Sequence, residues 1–166
     1  MRSVDPANHF KGNPSDLFKM MGFALWQAQL FEEVLAIHLM HVLSENLTQE
    51  QAAELLEKHY DRTLGQLLDK LKNHCEVKPG FERRLEEFKK ERNWLAHRIR
   101  REDHTAIYNE LKFQELLNRL DLLNEEGKLL ANIMIAMCEK WCIAEGVPSE
   151  TLKNRREKTL QEWISQ

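Results

Sequence analysis

Apolar residues recur at steps of three and four along most of the chain, a spacing typical of α-helices. Alternating apolar and polar residues never persist between turn signals, so no strand is predicted. The pattern predicts a first helix over about 13–45, a second from 48 that breaks near 60–63, a third from 81 to about 100, a fourth over about 108–145, and a short, charged helix from 150 to about 164. Thr48 and Gln51 have the form of a capping box, and Gly146 ends the fourth helix.

The fourth helix carries the most regular apolar seam. Its members alternate steps of three and four and are Phe113, Leu116, Leu120, Leu123, Gly127, Leu130, Met134, Met137 and Trp141. Such a seam lies along neighbouring helices that cross at roughly 20°. Because the helices are long and the loops short, the chain is expected to form an all-α, antiparallel up-and-down bundle of four to five helices. Leu117, Leu129 and Ile133 widen this face, which suits either a monomer or a dimer.

A single domain is predicted over 1–166, with the bundle over 15–145 and a short extra C-terminal helix over 149–165. The chain has 166 residues, 42% of them hydrophobic, which is enough for one core. Its net charge of −3 argues against a protein coated in nucleic acid but allows a local basic patch. No apolar run reaches the roughly 18 residues of a membrane span, and no signal-peptide core is present, so a cytoplasmic location is expected.

Metal and cofactor chemistry find no support in the sequence. Cys138 and Cys142 lie one helical turn apart and Cys75 stands alone. No histidine or cysteine set has the spacing of a zinc site, which needs about four ligands. The cysteine pair is therefore interpreted as core packing. His38 lies on an apolar stripe of the first helix and is interpreted as a hydrogen-bonded core histidine.

Two predicted core stripes are each interrupted by one charge. On the third helix, position 92 is an arginine in the stripe of Phe81, Leu85, Phe88, Leu95 and Ile99. On the first helix, position 33 is a glutamate in the stripe of Phe23, Trp26, Leu30, Ile37 and Met40. An unpaired buried charge costs several kcal/mol, so Glu33 and Arg92 are expected to meet or to share a polar cavity. Alternatively, the stem of Arg92 packs while its head reaches solvent.

Asn93 and His97 follow Arg92 in the sequence ERNWLAHR. Asn93 and His97 are four residues apart and share a helix face. Arg92 lies about 140° around an ideal helix from His97. The two side chains meet if the arginine reaches round, if the helix loosens near His97, or if a second copy of the helix faces the first across a two-fold axis.

These residues carry a family resemblance. The form R-N-x-x-x-H at 92–97, late in the third helix of an all-α bundle, resembles the signature of the HEPN superfamily (higher eukaryotes and prokaryotes nucleotide-binding domains). TLGQL at 63–67 is similar to a TLGxL stretch of bacterial members, and the first helix, with Trp26, Gln29 and Glu33, also fits. The resemblance covers about 15–145 and leaves out the last helix.

The resemblance implies a metal-independent endoribonuclease without cofactor, often the toxin of a toxin–antitoxin pair, that acts as a homodimer with both motifs at the interface. It makes Arg92 and His97 the candidate catalytic residues and Asn93 a supporting one. RNA cleavage through the 2′-hydroxyl needs a proton acceptor and donor, which an imidazole offers, and a cation beside the phosphate, which a guanidinium offers. From the stripe argument, Glu33 would orient Arg92.

A second reading stays open, in which the chain is a non-catalytic dimeric module of the same fold that binds proteins or nucleotides. The net negative charge and Glu91, directly before Arg92, favour it. Against it stands a local surplus of basic charge over 89–104, where phosphate contacts are predicted for Lys89, Arg98, Arg100, Arg101 and His104. The same charges also suit a solvated helix face. Trp94 either stacks on a base or flanks the core.

Overall fold

The computed structural model describes residues 12–44, 47–154 and 157. The helices are α1 (Pro14–Leu43), α2 (Gln49–Tyr60), α3 (Leu64–His74), α4 (Pro79–His97), α5 (Ile99–Asp103) and α6 (Glu110–Ala144), with a 3₁₀ turn at Ala106–Tyr108 before α6. The described residues contain no strand, and the predicted all-α helical bundle is confirmed. Residues 149–154 begin the predicted C-terminal helix, most of which lies outside the described residues.

Side-chain caps start three of the helices where the sequence places them. Asn13 accepts a hydrogen bond from the amide of Ser15 at the start of α1. Thr48 with Gln51, and Thr63 with Gln66, form reciprocal capping boxes at the starts of α2 and α3. Just after the C-terminal end of α6, Gly146 takes a φ of +88°, a left-handed conformation that favours glycine after a helix.

The core lies between α1 and α6 and is closed by α3 and α4. Its fully buried large side chains come from all four helices and include Phe31, Leu35, Leu67, Leu71, Leu85, Phe88, Leu120 and Leu130. The predicted seam of α6 is buried from Phe113 to Met134. Leu85, Phe88 and Leu95 of the predicted α4 stripe are buried, and so is Ile99, which begins α5. The apolar spacing of these two helices therefore identified their core faces correctly.

α1 and α6 pack side by side and run in the same direction. Position 127 packs against Gln27, the Sγ atom of Cys138 lies 3.9 Å from Nδ1 of His38, and the ring of Trp141 stacks on His41 with centroids 4.5 Å apart. The contacts thus keep the same order in both helices.

The core face of α1 is the apolar stripe that carries His38, and not the stripe of Phe23 and Trp26 that was expected to face the core together with Glu33. Phe23 and Trp26 are 53% and 60% exposed, whereas the buried stripe includes Ala24, Ala28 and Ala36. Alanines let two helix backbones approach closely, and a Cβ added at Gly127 of α6 would lie 3.3 Å from Gln27 of α1. The alanine face of α1 packs closely against α6 and is therefore buried, whereas the stripe of Phe23 and Trp26 stays exposed to solvent.

Candidate functional site

Arg92 is held at the edge of the core by a carboxylate of α1. Its Nε donates to Oε1 of Glu32 at 2.7 Å and its Nη2 donates to Oε2 at 3.4 Å. The two side chains are only 21% and 18% exposed. This fork-to-carboxylate geometry fixes the guanidinium plane as well as its charge. Arg92 therefore occupies a seam position and is paired, as the stripe argument required.

The partner is Glu32, so the expectation that Glu33 would meet Arg92 is wrong. One residue turns a helix by 100°, and Glu33 points to the exposed side of α1 while Glu32 points to α4. A sequence signal for Glu32 was available. It follows the buried Ala28 by four residues and precedes the buried Leu35 by three, so it lies on the true core stripe.

α4 ends at His97, within reach of the groove that Arg92 borders. Arg98 leaves helical geometry, with φ −123° and ψ −24°, and its amide donates to the carbonyl of Trp94 at 2.8 Å. His97 and Asn93 are exposed. The backbone stays helical from Arg92 through His97 and leaves helix geometry only at Arg98.

A groove of about 420 Å³ brings the motif and the start of α3 together. It is lined by Thr63, Leu64, Gly65, Arg92, Asn93, His97 and Arg98. The two sequence stretches that carry the family resemblance are thus neighbours in space. The capping box at Thr63 fixes the α3 side of the groove, and Arg98 adds a second guanidinium to Arg92 on the α4 side. A groove with two guanidinium groups and an imidazole suits an anionic ligand.

The remaining predicted phosphate contacts do not line this groove. Lys89 pairs with Glu86, Nζ to Oε2, at 2.5 Å. Arg100 and Arg101 lie exposed on α5, and the Nδ1 atom of His104 lies 3.3 Å from the carbonyl oxygen of Arg101. These exposed groups add positive charge beyond the groove without building its wall.

Two neighbours of Arg92 are directed to α6. Glu91 accepts from Arg119, Nε to Oε2 at 2.6 Å and Nη2 to Oε1 at 3.0 Å. The acid beside the motif is therefore neutralised on the opposite face of α4. Trp94 is buried, donates from Nε1 to Oδ2 of Asp103 at 3.3 Å, and carries the Arg119 guanidinium over its ring. Trp94 flanks the core and does not offer a free face to a base.

A second cavity was missed by sequence reasoning. It lies on the other side of Glu32, where α1 meets the end of α2, and its lining includes His59 and Arg62. His59 is fully buried, and its spacing of four and three residues from Leu55 and Leu56 is the signal that could have marked it as a core residue. The interpretation of His38 fares better, because this side chain is buried on the core face of α1, beside Cys138.

Neither a metal centre nor a membrane span is found in the part of the chain that the structure describes. No group of three or more histidine, cysteine, aspartate or glutamate side chains there is arranged to hold a metal ion. No described helix combines the length and apolar character needed to cross a bilayer. No protein-family model, curated protein or solved structure matches this chain.

Proposed function

We propose that this chain is a metal-independent endoribonuclease of the HEPN type. One observation carries the proposal, namely that Arg92, Asn93, His97 and Arg98 border one groove together with the start of α3. Glu32 holds the Nε and Nη2 atoms of Arg92 and so fixes the position of the guanidinium, and the Nη1 atom, which lies 3.5 Å from Oδ1 of Asn93, is the one left to face a bound group. Paired guanidinium and imidazole groups are what phosphodiester cleavage through the ribose 2′-hydroxyl requires.

The proposed reaction uses only atoms of RNA and of this chain. An imidazole accepts the 2′-hydroxyl proton while the 2′-oxygen attacks phosphorus, and the P–O5′ bond breaks. A protonated imidazole supplies the proton to the 5′-oxygen that leaves. The products are a 2′,3′-cyclic phosphate and a 5′-hydroxyl end. Arg92 would stabilise the extra negative charge that develops on the phosphoryl oxygens during attack.

A homodimer would complete this chemistry. Each groove contains one imidazole, His97, whereas the reaction uses a proton acceptor and a proton donor. The exposed aromatic stripe of α1, Phe23 and Trp26, continues along the same helix face to Gln29 and Glu33 beside the Arg92–Glu32 pair. A second copy packed on this stripe would cover apolar surface and bring its own motif towards the first.

The test is RNA degradation in the presence of a chelator. Purified wild type is expected to cleave RNA and leave cyclic phosphate ends, whereas Arg92→Ala and His97→Ala should not. Arg83→Ala is the matched control, because Arg83 is exposed near the start of α4 and lies outside the groove. Equal RNA decay in wild type and in both groove variants would overturn the proposal. Circular dichroism of each variant checks that the fold is kept.

We also propose that the activity makes the chain a toxin with a cognate antitoxin protein. Expression of wild type should then slow cell growth, and the Arg92→Ala and His97→Ala substitutions should relieve this effect. Growth that is equally slow with all three chains would contradict the toxin role. Recovery with the variants, together with RNA cleavage in vitro, supports it.

The second candidate is a non-catalytic dimeric module that binds proteins or nucleotides. The Arg92–Glu32 pair favours it to the extent that the pair also fastens α4 to α1, a structural role that needs no substrate. This reading expects Arg92→Ala to lower the stability or the dimerisation of the chain, with no RNA cleavage by wild type. The RNA assay with its Arg83→Ala control distinguishes the two functions.

A further inference from the structure

The second cavity has the size of a small-ligand site and lies against the proposed catalytic groove. Its volume is about 380 Å³, within the roughly 300–1,000 Å³ of such sites. Gln29, Glu32 and Glu33 of α1 form one wall, and His59, Tyr60 and Arg62 form the other. Glu32 belongs to this wall and also holds Arg92, so a single carboxylate separates the two recesses.

Buried polar atoms of this cavity lack partners among the described residues. The His59 side chain is fully inaccessible to solvent, and neither of its ring nitrogens makes a hydrogen bond. Nη1 of Arg62 is likewise buried and unpartnered. Burial lowers the pKa of His59, and the nearby Arg62 charge lowers it further, which favours a neutral ring with one donor and one acceptor nitrogen. Unsatisfied groups of this kind point to a polar ligand.

The exposed side of the cavity provides an acceptor and an aromatic ring. The Glu33 carboxylate has no hydrogen bond or ion pair among the described residues, and Glu33 is exposed. Tyr60 is half-exposed beside it. Glu33 and Tyr60 line the same cavity. Burial raises the pKa of the Tyr60 hydroxyl, and the negative charges of Glu33 and Glu57 raise it further. Stacking on an aromatic side chain and hydrogen bonds to the base edge are the usual means of recognising an unpaired base.

Guanine is the base whose hydrogen-bonding groups match this set. Its N1–H and N2–H donors lie side by side and suit the two oxygens of one carboxylate, such as Glu33. Its O6 and N7 acceptors suit one guanidinium, such as Arg62. Adenine and cytosine present an acceptor where guanine presents N1–H, and uracil has a single N–H donor on that edge. A carboxylate therefore favours guanine over the other three bases.

We propose that this cavity binds a guanine base of the RNA whose phosphate lies in the Arg92 groove. The proposal rests on the proposed ribonuclease function and specifies its substrate. The adjacency of Arg62 and Thr63 supports the pairing of the two recesses, since Arg62 lines the base cavity and Thr63 lines the groove. Cleavage would then occur beside guanosine residues of single-stranded RNA.

The first experiment measures nucleotide binding directly. Calorimetry with GMP, AMP, CMP and UMP on wild type should show the tightest binding for GMP. Glu33→Gln should weaken GMP binding about tenfold or more, because the amide replaces one acceptor oxygen by a donor. Glu125→Gln is the matched control, since Glu125 is exposed on α6 far from the cavity lining. Equal affinity for the four nucleotides would overturn the base site.

The second experiment maps the cleavage positions by sequencing RNA ends after digestion. Wild type should cut beside guanosine, and Glu33→Gln should cut with less base preference while it still cuts. Cleavage without any base preference would overturn the guanine site and leave the ribonuclease proposal standing. Selective GMP binding that Glu33→Gln abolishes, in a chain that cleaves no RNA, would support the base site and overturn the cleavage reaction.

Discussion

The Arg119 guanidinium lies 3.5 Å from the centroid of the Trp94 ring. This contact, together with the hydrogen bond to Asp103, fixes Trp94 between α4, α5 and α6. Trp94, which lies within the motif, is thus part of the scaffold. Of its two neighbours in sequence, Asn93 lines the groove and Leu95 lies in the core.

Trp94→Ala should therefore lower stability. The expected loss in the free energy of unfolding is about 3–5 kcal/mol, because a buried aromatic side chain and its cation–π partner are removed. Urea unfolding followed by circular dichroism measures it. Tyr108→Ala, which changes an exposed aromatic residue outside the α1 stripe, serves as the control. Unchanged stability of Trp94→Ala with a large loss of RNA affinity would contradict the scaffold role.

Glu32 and Glu33 form a natural pair of matched variants. Glu32→Gln should lower the free energy of unfolding by about 1–3 kcal/mol, since it removes the charged partner of the partly buried Arg92. Glu33→Gln, on the exposed side of α1, should stay within about 0.5 kcal/mol of wild type. Denaturant titrations of the two proteins under one set of conditions provide the comparison. A reversed order would mean that Glu33, after all, stabilises Arg92.

The aromatic stripe of α1 should determine the oligomeric state. Light scattering on a sizing column is expected to give twice the chain mass for wild type. The double variant Phe23→Ser/Trp26→Ser should give the mass of one chain, because it removes the exposed apolar contact. Leu111→Ser changes an exposed apolar residue elsewhere on the chain, and this variant should remain dimeric. A wild-type chain that is monomeric at high concentration would exclude this interface.

Acid should destabilise the chain through two histidines at the α1–α6 contact. Burial lowers the pKa of His38, with the nearby His41 adding to the effect, and burial lowers the pKa of His41. With folded-state values below 6.5, the unfolded chain binds protons more readily. Stability is therefore full above pH 6.5 and decreases as the pH falls through the lowered values. Urea midpoints at pH 7.5 and 5.5 should differ less in His38→Gln/His41→Gln than in wild type.

Cys138 should be a slow thiol in the folded chain. Burial raises its pKa to about 11, and the neighbouring Cys142 adds to the shift. Because the thiolate is the reactive form, alkylation by iodoacetamide at pH 8 should be much slower in the native protein than in urea. Mass spectrometry of the peptide that contains Cys138 follows the reaction. Equal rates in the folded and unfolded chain would show that the burial has no effect.

Features that depend only on the spacing of residues within one helix were predicted from the sequence. Which of the two apolar stripes of α1 faces the core was not. The α4 and α6 seams and the capping box at Thr48 follow from spacing alone, and all were confirmed. α1 carries two apolar stripes, and the larger side chains suggested the wrong one. The alanine stripe is buried because α6 approaches closely there, which is a property of two helices together. The Glu32 pairing was missed for the same reason.

The second cavity forms between several helices, so the spacing of residues within one helix could not predict it. His59 is buried where the end of α2 meets α1 and α3, so its environment depends on how these helices pack together. In contrast, the groove was foreseen in part, since TLGQL and the arginine–histidine motif were already linked by resemblance. Their contact in the structure depends on α3 beginning beside the end of α4.

The link between α2 and α3 has only three residues, Asp61, Arg62 and Thr63. Arg62 lines the second cavity, and Thr63, the next residue, lines the groove. The spacing between the two recesses is therefore set by one peptide unit, whose length is constant. Insertion of one glycine after Arg62 would shift the two recesses out of register with each other, although every side chain that lines them would still be present.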